Sequence, residues 1–348
     1  MAALPLALTI GDPAGIGPEL AAMAFLARKQ QEIPPFVLVG DAAIVARRAT
    51  ASGLGKLPLK LIDPNETANA ANIFTEELPV LAVAGSGGRP AAAGKPDPAQ
   101  AELVTGSIET SANLVHAGKA AGVVTNPISK EVLYASGFRF PGHTEYLGQL
   151  AHDLWQVDAH PVMMLAGADL RVVPVTIHIP LASVPAALTQ ELIVTTVRTL
   201  SRDLEKRFGI SRPRIAIAGL NPHAGEGGSI GKEEIATIVP AIELLRRIGI
   251  DVTGPLPADT MFHARAREAY DAAVCMYHDQ ALIPIKTIAF DTGVNVTLGL
   301  PFVRTSPDHG TAFDIAGTGR ANPSSLIEAL KMAAAMVARE QALAASAA

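Results

Sequence analysis

The chain has 348 residues, of which 49% are hydrophobic, 18% charged and 4% aromatic. Its net charge of −5 comes from 28 basic and 33 acidic residues without a dense basic run, which argues against a nucleic-acid partner. No apolar run reaches the roughly 18 residues of a membrane span, and the N-terminus lacks the basic segment of a signal peptide, so we expect a cytoplasmic protein with no membrane partner.

Short apolar runs alternate with longer segments of helical periodicity. The predicted strands are, in chain order, 4–10, 36–39, 59–62, 122–125, 162–165, 171–178, 214–218, 252–254, 272–277 and 294–298. The predicted helices are 19–27, 102–117, 192–208, 232–248 and 324–342. Most strand runs are continuously apolar, which is typical of strands buried on both faces. The alternation predicts an α/β fold with a mostly parallel sheet.

Three of the nine histidines follow predicted strands. His178 ends the strand at 171–178, His223 comes a few residues after 214–218, and His278 follows 272–277. Ligands gather at the carboxyl ends of parallel strands, and three neutral imidazoles are a standard ligand set for a catalytic divalent ion. From the residues alone, a metal site and three unrelated loop histidines both remain open. Cys275 has C-x-x-H spacing to His278, but we interpret it as a buried thiol.

Two glycine-rich loops each join a predicted strand to a helix. The first, GDPAGIGPE at 11–19, lacks the third glycine of a Rossmann fingerprint, because Leu20 stands in its place. The second, GEGGSIGK at 225–232, misses the Walker A spacing and has Glu233 where Ser or Thr belongs. Neither common nucleotide-binding motif is therefore present.

Two cations flank the last predicted strand. Lys286 lies nine residues before Asn295, and Arg304 lies nine residues after it. They are either a clamp for a phosphate or carboxylate or two solvated surface residues, and spacing alone does not separate these interpretations.

The segment SPDHGTAFDIAGTGRANP at 306–323 resembles the adenosine-binding loop of the isocitrate/isopropylmalate dehydrogenase superfamily, and residues 11–19 resemble its N-terminal turn. The resemblance implies two α/β/α domains with an active-site cleft between them, and NAD or NADP binding without a Rossmann fingerprint. The cofactor-binding residues that it implies are Gly310, Asp314, Gly317 and Asn322.

A closer resemblance covers nearly the whole chain. The motifs that carry it are TNP at 125–127, PGHTE at 141–145, NPHAGE at 221–226, GPLPADT at 254–260, MYHDQ at 276–280 and NVTLGLPFVR at 295–304. Together they resemble the 4-hydroxythreonine-4-phosphate dehydrogenase family. TNP departs from the Thr-Gly-Pro of other members, which suggests a subfamily difference and leaves the metal and substrate residues intact.

The resemblance implies a role for each candidate site residue. His178, His223 and His278 would bind one divalent ion, Zn, Co, Mn or Mg. The residues implied to contact the substrate are His143, Thr144, Lys286, Asn295 and Arg304, and those implied to be catalytic are Lys286 and Asp259. The family also implies a homodimer with shared active sites, and we test the case in which His178 and His278 of one site come from different chains.

The implied reaction is the oxidation of 4-phosphooxy-L-threonine to a 2-amino-3-oxo acid, which decarboxylates to 3-amino-2-oxopropyl phosphate in vitamin B6 biosynthesis. Residues 1–124 with 285–348 would form a nucleotide-binding-type domain, and 125–284 a metal, substrate and dimerisation domain. Two alternatives remain: a dehydrogenase of D-threonate or D-erythronate 4-phosphate, and a non-catalytic protein that binds a metal or nucleotide.

Overall fold

The structure, a computed structural model, describes residues 4–83, 90–140 and 142–347. Within these ranges the strands are β1 Leu6–Thr9, β2 Phe36–Gly40, β3 Leu59–Ile62, β4 Leu78–Ala82, β5 Val123–Val124, β6 Val162–Gly167, β7 Leu170–Pro174, β8 Ile215–Ala218, β9 Val252–Leu256, β10 Ala272–Cys275, β11 Val294–Leu298 and β12 Arg304–Pro307. The α-helices are α1 Gly17–Ala27, α2 Ala42–Ala51, α3 Ala70–Ile73, α4 Ala101–His116, α5 Lys130–Ala135, α6 His143–Trp155, α7 Val184–Ala187, α8 Gln190–Phe208, α9 Val239–Arg247, α10 Ala264–Arg267, α11 His278–Ile288 and α12 Ser324–Ala347.

The chain forms two compact units with boundaries later than the sequence suggested. Unit 1 comprises residues 1–161 with 300–338, and unit 2 comprises 162–299 with 339–348. The segment that follows position 124 stays in unit 1, because Thr125 N donates to the Thr305 carbonyl (3.0 Å) and because α6 packs on α4. Residues 285–299 stay in unit 2, because α11 packs on β7 and β11 pairs with β6.

The sheet of unit 1 is wholly parallel. Its strand order is β3-β4-β2-β1-β5-β12. Strands β1, β2 and β12 are buried at every position. Burial on both faces is why β1 and β2 read in the sequence as continuously apolar rather than alternating runs. The sequence missed β4 and β12, since Pro79 interrupts the first and polar residues dominate the second.

The sheet of unit 2 mixes both directions. Its order is β11-β6-β7-β10-β8-β9, with β6 antiparallel to β11 and to β7, and the remaining pairs parallel. The predicted α/β class with mostly parallel pairing is confirmed. Cys275 lies in β10 with no exposed surface, and burial raises the pKa of its thiol, so it is the inert buried thiol that we expected. Across the described ranges, no helix has the length and apolar character needed to span a bilayer.

Candidate metal and substrate residues

Two of the three candidate metal ligands meet at one end of the unit 2 sheet. Beyond the parallel strands β7 and β10, backbone pairing continues from Val175 N to the Cys275 carbonyl (2.8 Å), and the Thr176 hydroxyl donates to the Met276 carbonyl (2.7 Å). His178 lies two residues after Thr176, and His278 lies two residues after Met276. Their ring centroids lie 5.5 Å apart. The register of the two strands therefore brings together two histidines that are 100 residues apart in the sequence.

Both imidazoles line a cavity of about 240 Å³. Its walls combine hydroxyl and carboxylate groups with aliphatic side chains. The lining residues are Thr176, His178, Ile179, Leu181, Val184, Tyr277, His278 and Asp279. His178 has a left-handed backbone (φ 52°), which is uncommon for a residue with a side chain and is often found at functional sites.

In two of the candidate ligands, Nδ1 of the imidazole forms a hydrogen bond with a nearby carboxylate. The Nδ1 atom of His278 lies 2.7 Å from Asp279 Oδ1, and that of His223 lies 2.7 Å from Glu226 Oε2. An ionised carboxylate only accepts hydrogen bonds, so Nδ1 is the donor in each contact and Nε2 is the ring nitrogen left to bind an ion. Metal-binding histidines in proteins are oriented in this way, and the donor chemistry therefore fits a divalent ion.

His223 itself lies on an unusual turn. Five consecutive residues have left-handed backbones, with φ of 53° at His223, 52° at Ala224, 80° at Gly225, 44° at Glu226 and 64° at Gly227. This conformation costs roughly 1–2 kcal/mol for each residue other than glycine, so surrounding contacts must hold it. The His223 side chain is 68% exposed.

In the part of a single chain that the structure describes, no three His, Cys, Asp or Glu side chains are placed to hold a metal ion.

Unit 1 contains a buried cation beside a neutral histidine. Arg304, on β12, is 3% exposed and donates from Nη2 to Thr125 Oγ1 at 2.5 Å. Burial lowers the pKa of Arg304 to about 10, so the guanidinium stays charged at neutral pH. Burial, and then the charges of Arg304 and Lys130, lower the pKa of His143 well below its usual value. The His143 Nε2 atom is shielded from water and has no hydrogen-bond partner among the described residues.

Thr144 is half-buried and follows His143 in the first turn of α6. Pro141, the first residue of that sequence motif, lies outside the described residues. A buried cation, a neutral imidazole and a hydroxyl are groups that can bind a phosphate or carboxylate.

The remaining substrate and catalytic candidates lie in unit 2. Lys286 is half-buried in α11, the helix that begins at His278, and its Nζ lies 5.9 Å from the ring centroid of Phe290. Asn295 is half-buried in β11. Asp259 lies in an exposed 3₁₀ turn, Ala258–Thr260, after β9. The structure therefore groups His178 with His278, and His143 with Arg304, while Asp259 stands on a separate turn.

The two segments that resemble a nucleotide-binding site contact each other within unit 1. Ile16 N donates to the Thr311 carbonyl (3.0 Å), and Gly317 N donates to Glu19 Oε2 (2.7 Å). A Cβ on Gly15 would lie 2.8 Å from the Thr311 carbonyl oxygen, so glycine is needed for this approach. The Arg48 guanidinium donates to the carbonyls of Pro13 and Gly15 in this loop, to the first at 2.8 Å.

The four cofactor candidates have different surroundings. Gly317 has a left-handed backbone (φ 75°), and a Cβ there would lie 3.0 Å from Ala93. Around Gly310 a Cβ would meet open space, so packing does not require glycine there. Asp314 is exposed, and Asn322 Oδ1 accepts from the Ser324 backbone at the start of α12 (3.0 Å).

Comparison with known proteins identifies the family. The family model for the pyridoxal phosphate biosynthetic protein PdxA matches residues 31–333. The chain belongs to the PdxA family. The family resemblance inferred from the sequence motifs is thus confirmed.

Relatives match this PdxA-family chain over nearly its full length. The 4-hydroxythreonine-4-phosphate dehydrogenase of Bradyrhizobium diazoefficiens is 57% identical, over 97% of this chain and 98% of the relative. That of Xanthobacter autotrophicus is 52% identical, over 99% and 97%. The crystal structure of the Klebsiella pneumoniae 4-hydroxythreonine-4-phosphate dehydrogenase is 36% identical, with a TM-score of 0.82 over 96% of this chain and 100% of that one.

Sequence reasoning missed the residues that orient the candidate ligands. Asp279 and Glu226 were quoted only as parts of motifs, although a carboxylate one or three residues after a histidine is a usable signal for a paired Nδ1. Glu234 accepts a hydrogen bond from Asn221, 13 residues earlier in the chain, and Glu19 accepts one from Gly317, 298 residues later, so these contacts could be found only from the fold.

Proposed function

We propose that this PdxA-family chain is a metal-dependent 4-hydroxythreonine-4-phosphate dehydrogenase that uses NAD or NADP. It oxidises 4-phosphooxy-L-threonine to a 2-amino-3-oxo acid, which decarboxylates to 3-amino-2-oxopropyl phosphate in pyridoxal phosphate biosynthesis. Near full-length relatives bear this name. The observation that carries the proposal is the pairing of His178 with His278, the second of which has its Nδ1 held by Asp279.

The proposed metal ligands are His178 and His278 of one chain with His223 of the partner subunit. The first two rings are already adjacent. His223 is exposed. Glu226 contacts its Nδ1, so the His223 Nε2 is the atom that would bind an ion held by the other chain. This arrangement differs from our sequence-based expectation, which divided the site between His178 and His278.

A homodimer would also cover apolar side chains that unit 2 exposes. Ile179 and Leu181, which line the histidine cavity, are 39% and 67% exposed. Further large apolar side chains are exposed in the segments after His223 and His278, namely Ile230, Ile235, Ile283, Ile288 and Phe290. Exposed apolar groups in such number favour a protein partner, and a second copy satisfies the proposed ligand set by two-fold symmetry.

When bound, the ion supplies a Lewis acid for the substrate oxygen and the nicotinamide accepts the hydride. Arg304 binds and orients the substrate phosphate or carboxylate through its charged guanidinium, with His143 as a neutral hydrogen-bonding partner. Thr144 and Asn295 supply further polar contacts. Lys286 and Asp259 are the proposed carriers of the protons that leave the hydroxyl and return to the product carbon. Because the reaction draws on the cellular NAD(P) pool, it fits the predicted cytoplasmic location.

A substrate panel tests the proposal. Purified enzyme is supplied with a divalent ion and, in turn, 4-phosphooxy-L-threonine, D-threonate 4-phosphate and D-erythronate 4-phosphate, each with NAD and with NADP. NAD(P)H absorbance and carbon dioxide release are measured. We expect the highest kcat/KM, with stoichiometric carbon dioxide, for the amino acid phosphate. A higher kcat/KM for either of the other acids would favour the alternative dehydrogenase, and no reduction with any substrate would favour a binding protein.

A further inference from the structure

The turn that carries His223 lies against one buried carboxylate. Glu234 is 2% exposed and is the first residue of a π-helix, Glu234–Ile238, that leads directly into α9. Short π-helical segments are rare and occur frequently at functional sites. No role for Glu234 follows from the proposed reaction, since its carboxylate points at the protein backbone.

Glu234 binds three donors immediately before His223. Its Oε1 accepts the backbone N–H groups of Leu220 (2.8 Å) and Asn221 (2.7 Å), and its Oε2 accepts Asn221 Nδ2 (3.0 Å). Hydrogen bonds to an ionised acceptor are stronger than neutral ones. The carboxylate therefore fixes the two residues from which the left-handed turn starts.

Glycines let the turn approach this carboxylate. A Cβ on Gly225 would lie 2.5 Å from Glu234 Oε2, and a Cβ on Gly231 would lie 2.1 Å from Asn221 Nδ2. Gly219 is equally close to the turn, because its Cβ would lie 2.8 Å from the Cα of Ala224. The left-handed turn is thus packed closely around the carboxylate, and any residue with a Cβ at these three glycine positions would push the turn away from Glu234.

A second contact links the same turn to the His278 segment. Gln280, in the first turn of α11, donates from Nε2 to the Gly219 carbonyl (2.8 Å) and accepts the Met276 N–H at Oε1 (2.7 Å). Met276 and Gln280 each lie two residues from His278. The segments carrying His223 and His278 are therefore connected within one chain.

We propose that Glu234 is a positioning residue for His223: its buried carboxylate holds the left-handed turn that presents the imidazole as a metal ligand. This inference rests on the proposed function, because it takes His223 to be a ligand. Glu234 does not touch the ion. Its hydrogen bonds offset the free-energy cost of the left-handed conformation at three non-glycine residues, His223, Ala224 and Glu226.

The test measures metal affinity and local backbone order rather than turnover. Metal-free wild type, Glu234→Gln, His223→Ala and Glu243→Gln are titrated with Co²⁺, and the visible absorbance of the bound ion gives the dissociation constant. Hydrogen exchange is followed at residues 219–231. Glu243 is an exposed carboxylate in α9, and it is the matched control. Gln at 234 keeps the side-chain size but turns one acceptor into a donor that faces the donors of Asn221.

We expect Glu234→Gln to weaken Co²⁺ binding about 10-fold or more, as outer residues that orient ligands do, and to speed exchange at 219–231, with Glu243→Gln unchanged. Adding Ala224→Gly to Glu234→Gln should recover part of the affinity, since glycine adopts left-handed backbones without strain. If Glu234→Gln does not fold, Asn221→Asp replaces it, with Glu233→Gln as its control, because Asn221 Nδ2 contacts Glu233 Oε2 (2.7 Å) as well as Glu234 Oε2 (3.0 Å) and both carboxylates repel a new one.

The outcomes separate the two proposals. If His223→Ala weakens Co²⁺ binding while Glu234→Gln (or Asn221→Asp) binds as wild type does, Glu234 has no positioning role and the ligand assignment stands. If His223→Ala binds Co²⁺ like wild type, the ligand assignment fails, and the inference about Glu234 fails with it.

Discussion

His178 and His278 stand two residues beyond the same backbone hydrogen bond, from Thr176 N to the Met276 carbonyl, and their rings lie 5.5 Å apart. Two neighbouring parallel strands in register deliver them, so the pair forms whenever unit 2 folds. Two of the three proposed imidazole ligands are consequently organised before any ion or second chain arrives, which reduces the ordering cost of metal binding.

The first prediction concerns the metal. Removal of divalent ions with a chelator should abolish turnover, and added ion should restore it. His278→Ala should lower kcat/KM by at least about 10²-fold, because an oriented Lewis acid supplies several kcal/mol of transition-state stabilisation. Steady-state kinetics with metal content measured on the same samples check this. Full activity in demonstrably metal-free enzyme would contradict the mechanism.

Asp279→Asn separates orientation from ligation. The amide keeps the size of the carboxylate but accepts the Nδ1 proton of His278 more weakly, so the ring is less firmly held. We expect metal affinity to fall about 10- to 100-fold with the fold intact, as measured by metal titration. An unchanged affinity would mean that the 2.7 Å contact does not orient the ring.

Arg304→Ala should chiefly raise KM for the phosphorylated substrate, by about 10-fold or more, because a charged hydrogen bond to a phosphate binds ground and transition states alike. Arg304→Lys keeps the charge but loses the planar fork, so we expect an intermediate KM. Thermal unfolding controls for the loss of a buried side chain that contacts Thr125. An unchanged KM in a folded Arg304→Ala protein would remove Arg304 from the substrate site.

The sequence predicts some elements of the fold and misses others, for physical reasons that differ between them. Buried parallel strands such as β1 and β2 were predictable because burial on both faces makes them continuously apolar. Helices α6 and α11 were missed because each begins at a histidine, His143 or His278, where polar residues interrupt the helical pattern. The left-handed backbone at His223 was not predictable either, since it depends on Glu234, eleven residues later, rather than on local preference.

Acid should destabilise unit 1 through His143. The folded pKa of His143 lies well below the unfolded value of 6.5, so between these two values only the unfolded chain binds the proton. Stability is therefore lost as pH falls below about 6.5, by up to about 1.4 kcal/mol per pH unit, and it is not affected above that pH. His143→Gln lacks this contribution and should show a shallower pH dependence.

Urea unfolding followed by fluorescence measures this difference. Trp155 is the single tryptophan of the chain and stacks on Phe302, with 4.9 Å between ring centroids, in unit 1. Its emission therefore reports the unit that contains His143. Carboxylates titrate in both proteins and cancel in the comparison. Equal slopes for wild type and His143→Gln between about pH 7 and pH 5 would show that His143 protonates normally in the folded state.

The last prediction concerns the division of ligands between subunits. If one site takes His178 and His278 from one chain and His223 from the partner subunit, a His178→Ala chain paired with a His223→Ala chain builds one doubly damaged site and one intact site. Each mutant alone is inactive. Unfolding equal amounts together and refolding them should place half of the molecules in mixed dimers, so that about one quarter of wild-type activity returns.

A second mixture is the matched control. His178→Ala with His278→Ala removes ligands that the structure places side by side in the same chain, so every site in every dimer lacks one of them. We expect no recovery from this pair, although its dimers form equally well. Differently tagged chains, co-purified on both tags, verify the exchange. Recovery from the His178 and His278 pair would instead assign these two ligands to different subunits, and no recovery from either pair would place all three ligands on one chain.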